Sequence, residues 1–294
     1  MTAILQVEDL LRKDGKYNDK QRRKIVDLLK DQRLNILIVG ATGSGKSSTI
    51  NALFDLKRAQ VGLGADPETT EIKKHELGQL VLWDSPGLGD GKKEDKSHLA
   101  KIVKKLKETT NEDHALIDLV LVVIDGSSRD LGTSYTLIND TIIPNLGENP
   151  EKRIIVAMNQ ADLAFKGADG WDRANNKPTP HSLEFLDQKV ASIKYRIKDS
   201  TGVEIEPIYY CAGYQNSSSD SSTAPYNLTK LLWLIVESSP AEKRLIIRDS
   251  LAPDQKNWET DDNKKDYRKE VKEKISTDGF FGFLASIVVG LLGF

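Results

Sequence analysis

Eight consecutive residues, Gly40-Ala41-Thr42-Gly43-Ser44-Gly45-Lys46-Ser47, restrict the fold of this chain more than any other stretch. They follow a run of β-type residues at 34–39 and precede an amphipathic stretch at 47–56, so the pattern predicts strand, glycine-rich loop, helix. In a G-x-x-x-x-G-K-[ST] loop of that context the glycines let backbone N–H groups turn inward around phosphate oxygens, and the helix N-terminus adds partial positive charge. Lys46 can bridge β- and γ-phosphates, and the Ser47 hydroxyl can ligate Mg²⁺. Thr42, Gly43, Ser44, Gly45, Lys46, Ser47 and Ser48 are therefore the candidate phosphate-binding residues.

The rest of the chain extends this unit. Apolar strand-like runs at 80–83, 119–124, 154–158 and 208–211 alternate with helical patterns near 97–109, 132–143, 182–198 and 225–237. Such alternation predicts an α/β fold, a mainly parallel sheet with helices on both faces. Residues 71–77, separated from the 80–83 run by Gly78, read as an antiparallel edge strand. Two short helices are expected in 3–33, on either side of the turn-like residues 14–18. The expected division is an N-terminal helical segment (1–33), a nucleotide domain (34–238) and a C-terminal helical segment (239–294).

Charge and cysteine content narrow the class further. A net charge of −2 over 294 residues gives no general attraction to phosphate backbones, so no specific nucleic acid is expected as partner. The single cysteine, Cys211, allows neither an internal disulfide nor a Cys-rich zinc site, and the N-terminus lacks an apolar leader pattern. These features predict a cytoplasmic protein. Residues 256–274 carry 13 charged residues in 19, whereas 279–294 carry none in 16. As a helix the apolar tail would extend about 24 Å, short of the ~30 Å hydrocarbon core. Two readings of it stand. It docks peripherally on an anionic membrane, at the inner face, or on a partner. Alternatively Phe280, Phe281, Phe283, Leu284, Ile287 and Val288 fold back against the N-terminal helices.

Three further elements follow in order. Asp84-Ser85-Pro86-Gly87 ends the second core strand; Asp84 would hold Mg²⁺ through water and the Gly87 N–H would sense a γ-phosphate. Asn159-Gln160-Ala161-Asp162 ends the 154–158 strand. A carboxylate at Asp162 can accept both N1–H and N2–H₂ of guanine, donors that adenine does not present together. Cys211-Ala212-Gly213 ends the last strand, where the Ala212 N–H can reach guanine O6. Were Asp162 incidental, the chain would be a P-loop ATPase. His75, His98, His114 and His181 show no metal-ligand spacing and read as surface or strand positions.

In order and position these elements resemble the TRAFAC-class, Era-like small GTPases, with G1 at 40–47, G3 at 84–87, G4 at 159–162 and G5 at 211–213. The resemblance covers about 34–238 and implies a Ras-like P-loop GTPase domain using GTP/GDP and Mg²⁺. It places G2 on Pro67-Glu68-Thr69-Thr70, with Thr70 as the threonine that binds Mg²⁺ and γ-phosphate and Thr69 as runner-up. Lys46, Thr70 and Gly87 would then be the catalytic set. A closer resemblance, to the prophage-associated YfjP/YeeP-like GTPases, rests on the G-x-T-G-x-G-K-S-S loop leading to Asn51-Ala52-Leu53-Phe54, on Gln160, on Trp171-Asp172 before Pro178-x-Pro180, and on the apolar C-terminus. The P-loop also resembles that of immunity-related GTPases.

Three departures bear on activity. Gly43 occupies the slot of an asparagine associated with potassium use. Gln160 replaces the usual lysine along the base. Leu88 stands where Ras-type proteins carry a water-orienting glutamine, so the resemblance implies slow intrinsic hydrolysis. Gly290-Leu291-Leu292-Gly293 matches the letters of an RNA-binding G-x-x-G, but in an uncharged tail. The function implied is a nucleotide-dependent switch activated by a partner or by homodimerisation through the nucleotide face, with Arg129 as a candidate finger. The alternative is a GTP-dependent self-assembling scaffold of the dynamin or immunity-related type.

Overall fold

The structure is a computed structural model that describes residues 3–56, 60–61, 71–89, 91–166, 170–213, 223–276 and 279–280, with the side chains of Gln60, Val61 and Lys92 outside the description. Its centre is a seven-stranded sheet in the order β2-β3-β4-β1-β5-β6-β9. The strands are β1 (Leu34–Gly40), β2 (Gln60–Val61), β3 (Lys73–Leu77), β4 (Leu80–Asp84), β5 (Leu119–Asp125), β6 (Ile154–Asn159) and β9 (Ile208–Tyr209). β1 pairs in parallel with β4 and β5, β5 with β6, and β6 with β9. A two-stranded hairpin, β7 (Trp171–Asp172) with β8 (Lys177–Pro178), stands apart.

Because β1 and β5 lie in the middle of a sheet covered on both faces, nearly every residue in them is buried, and they read as continuous apolar runs. Alternate residues of β1 point to opposite faces. Leu34, Ile36 and Ile38 pack with Ile50 and Leu53 of α3 (Lys46–Leu53) and with Leu231 and Ile235 of α8 (Leu228–Ser238). Leu37 and Val39 pack on the other side with Ile102 of α4 (Lys92–Leu106), Ile138 in the π-helical stretch that continues α5 (Gly132–Thr136), and Ile193 of α7 (Pro180–Thr201). This is the expected α/β architecture.

Two strand expectations need adjustment. β3 is antiparallel to β4 as predicted, but β2 lies outside it and forms the edge. Two residues are too short to carry an alternation signal. The last strand ends at Tyr209; Cys211 instead exchanges backbone hydrogen bonds with Tyr226, at 2.9 and 3.0 Å.

At the N-terminus, α1 (Ala3–Asp14) packs on α2 (Asp19–Asp31), which starts with a reciprocal capping box between Asn18 and Gln21. Val7, Leu11, Val26 and Leu29 form a small core with Leu245 of α9 (Arg244–Arg248) and with Phe280, which is 4% exposed. The residues after 239 also pack on the nucleotide domain. Ile247 of α9, and Val271 and Ile275 in and beyond α10 (Tyr267–Lys274), join the sheet face covered by α3 and α8. Ala252 N–H donates to Leu53 O, and Asn257 Nδ2 to Ala52 O, at the end of α3. Among the described residues no helix is long and apolar enough to cross a membrane. Phe281, Phe283, Leu284, Ile287 and Val288 lie outside the described residues.

Candidate nucleotide site

The site lies at the C-terminal edge of the parallel strands, where β1, β4, β6 and the residues after β9 each release a loop. β1 ends at Gly40, where an added Cβ would sit 2.2 Å from Val123 O. Gly43 and Gly45 hold φ of 77° and 89°, in the left-handed region that glycine occupies without steric cost. The loop thus closes over the start of α3. Lys46, buried there, donates from Nζ to Gly40 O and Ala41 O, both at 3.1 Å. Ser47 Oγ donates to Asp84 Oδ2 at 3.3 Å, bringing together the two residues expected to hold Mg²⁺.

Two buried atoms of the site, Ser44 Oγ and Asp84 Oδ1, have no protein hydrogen-bond partner. Buried polar groups are almost always satisfied, so this pair marks where a ligand's polar atoms belong. Burial raises the Asp84 carboxyl above its ordinary pKa, opposed by the Lys46 ammonium and the Ser47 hydroxyl. A nearby divalent cation would favour the ionised form. The donor set fits Mg²⁺, which takes few protein oxygens and completes its shell with water and phosphate.

Asn159 ties three loops together. Its Nδ2 donates to Ser44 O at 3.0 Å and its Oδ1 accepts from Ala212 N at 2.9 Å. Gly45 passes so near this side chain that a Cβ there would lie 2.1 Å from Nδ2. The Ala212 N–H, expected to reach guanine O6, is therefore engaged by Asn159. Gln160 sits at φ 59° and donates from Nε2 to Gly43 O at 2.8 Å, so it braces the phosphate loop without a lysine's charge. Asp162, half-buried in α6 (Ala161–Ala164), accepts from Cys211 Sγ at 3.2 Å. Burial, and then Asp162, push the Cys211 thiol up, so it stays protonated and donates. Ser48 opens α3 and is exposed.

The segment after Asp84 departs from expectation. Leu88 is 2% exposed and packs in the core with Leu37, Val39 and Ile102. Its carbonyl accepts from Thr42 N at 2.8 Å, and its N–H donates to Gly40 O at 3.4 Å. Gly87 lies against Thr42, where a Cβ would meet Oγ1 at 2.2 Å. His98, expected at the surface, is 8% exposed and contacts Gly87 O through Nδ1 at 3.0 Å. A lone histidine carries no spacing signal, so only the fold reveals this contact. Arg129 is exposed in the loop after β5. Trp171 packs edge-on against Tyr226, beside the Cys211 loop. Thr69 and Thr70, with the rest of 62–70, lie outside the described residues.

Residues 35–160 match the family model described as 50S ribosome-binding GTPase. That span runs from β1 through the phosphate loop and Asp84 to Gln160. Over that span the chain is similar to TRAFAC-type GTPase domains. Among curated relatives, a translocase of chloroplast 108 from Physcomitrium patens is 34% identical over 177 residues, 58% of this chain and 17% of the relative. Interferon-gamma-inducible GTPase 10 of Mus musculus is 22% identical over 219 residues, 72% of this chain and 45% of the relative. The chain thus spans less than half the length of either. Among solved structures, Toc33 from Arabidopsis thaliana in complex with GDP and Mg²⁺ is 17% identical, covering 81% of this chain and 97% of that one with a TM-score of 0.47.

Proposed function

We propose that the chain is a nucleotide-dependent switch that binds GTP and GDP with Mg²⁺ and hydrolyses GTP slowly. The observation that carries this reading is the pair of hydrogen bonds by which Asn159 donates to Ser44 O and accepts from Ala212 N. It fixes the phosphate loop against the loop that follows β9, and three residues on it presents the Asp162 carboxylate on the same edge. Mg²⁺ would be held by Ser47 and, through water, by Asp84, with Thr70 as the third protein oxygen; when bound it neutralises developing charge on the phosphates. Lys46 binds the same phosphates. Competition of labelled GTP by unlabelled GTP, GDP and ATP tests the reading.

Activation in trans belongs to the same proposal. With Leu88 buried, the residue after Gly87 offers no polar side chain to the attacking water, whereas Arg129 is exposed on the loop after β5, at the same edge. This favours homodimerisation through the nucleotide face. We place the protein in the cytoplasm, with the C-terminal flank coupling nucleotide state to a partner. Burial of Phe280 between the N-terminal helices and α9 supports a docked start to the apolar tail over a membrane anchor.

A further inference from the structure

We propose that His98 is a positioning residue for the γ-phosphate sensor, an inference that rests on the GTP-switch reading above. The peptide that joins Gly87 to Leu88 is gripped on both sides. Its carbonyl, Gly87 O, lies 3.0 Å from His98 Nδ1, and its N–H donates to Gly40 O at 3.4 Å. The next peptide is held in the same way: Leu88 O accepts from Thr42 N at 2.8 Å, and Gly89 N–H donates to Asp95 Oδ1 at 2.8 Å. The phosphate loop therefore grips this segment from one side with backbone groups, and α4 grips it from the other with two side chains.

A carbonyl oxygen only accepts, so His98 must donate, which places its proton on Nδ1. Both the neutral Nδ1–H tautomer and the imidazolium satisfy this. His98 is buried, so its contact is not diluted by competition from bulk water. The residue it grips is the one whose own N–H faces a γ-phosphate in the proposed switch. A Cβ at Gly87 would collide with Thr42, so the Gly87 backbone runs close against the phosphate loop. Holding the Gly87 carbonyl pins the 87–88 peptide and narrows the rotation left to the preceding peptide, which carries the Gly87 N–H. His98 thus discriminates triphosphate from diphosphate through Gly87, without touching nucleotide.

The test compares wild type with His98→Ala and His98→Asn, in which the Asn Nδ2 replaces the Nδ1 donor. The readouts are affinity for fluorescent GDP, affinity for a fluorescent non-hydrolysable GTP analogue, and kcat and KM for GTP. Loss of one buried hydrogen bond is worth about 3–10-fold. His98→Ala is expected to lose about that factor in triphosphate affinity and in kcat, with GDP affinity unchanged, and His98→Asn to recover most of it. Equal loss of GDP and triphosphate affinity would mean a merely structural histidine and overturn the proposal. So would a His98→Ala protein indistinguishable from wild type, with both binding GDP. A wild-type chain that binds neither nucleotide would instead overturn the switch reading, and this inference with it.

Discussion

Asn159 donates from Nδ2 to the Ser44 carbonyl at 3.0 Å, across 115 residues of chain, while its Oδ1 accepts the Ala212 N–H. Asn159→Ala strands two buried backbone groups, each costing about 1–3 kcal/mol when left unsatisfied. The expected loss of stability is about 2–4 kcal/mol with a parallel fall in nucleotide affinity, read by urea unfolding and GDP titration. Wild-type values in both would show that the loops hold their positions without this side chain.

Lys243 and Asp118 pair at 2.6 Å, the Asp118 carboxylate also accepting from Asn35 N. Burial raises the Asp118 carboxyl above its ordinary pKa, against the pull of Asn35 and Lys243. With the folded value above the unfolded one, the native state holds extra protons between the two, so stability falls as pH rises through that window. Lys243→Ala removes the compensating charge and raises the folded value further. Its deficit should shrink toward low pH, as Asp118 takes up a proton, and be largest at neutral pH, at about 3 kcal/mol. A deficit independent of pH would mean that packing, rather than charge, is what Lys243 supplies.

Phe280 joins Val7, Leu11, Val26, Leu29 and Leu245 in the core beside the N-terminal helices. Phe280→Ala should cost about 3 kcal/mol, the range for truncating a buried aromatic. Thermal unfolding measures this, and co-sedimentation with anionic liposomes accompanies it. Unchanged stability together with lost lipid binding would reassign the residue to a membrane anchor.

GTP turnover per molecule should be slow in dilute protein and rise with protein concentration, and Arg129→Ala should abolish the rise. An arginine supplied in trans is worth about 10³–10⁵ in rate where it is used. Steady-state phosphate release over a hundredfold range of protein concentration checks this. Fast turnover at every concentration would remove the need for a second copy.

The phosphate loop was legible in the sequence because its chemistry is written in backbone conformation. Gly43 and Gly45 stand at positive φ, and Gly40 and Gly45 where a Cβ would collide with neighbours, so the residue types themselves announce the turn. The sheet was legible for the related reason that β1 and β5 are buried on both faces. His98 was not: its role depends on α4 lying beside Gly87, a relation of packing rather than spacing. Leu88 was read as a missing glutamine, but the fold gives it a place in the core. The residues after 239 looked separate from the nucleotide domain because Ile247, Val271 and Ile275 are sparse among charges. Ile247 and Val271 on short helices, with Ile275 just after the second, pack that segment into the same core as α3 and α8. The engagement of Ala212 N–H by Asn159 was also beyond the sequence, since a motif names residues but not which of them bond one another.

We propose that Asp162 selects guanine. Competition for labelled GTP by unlabelled GTP, ATP and xanthosine triphosphate, in wild type and in Asp162→Asn, measures it most directly. ATP should compete at least about 100-fold less well than GTP in wild type. Asp162→Asn should lose GTP and gain xanthosine triphosphate, because the amide presents a donor where guanine carries an N–H and xanthine a carbonyl. Equal competition by ATP and GTP in wild type would contradict it.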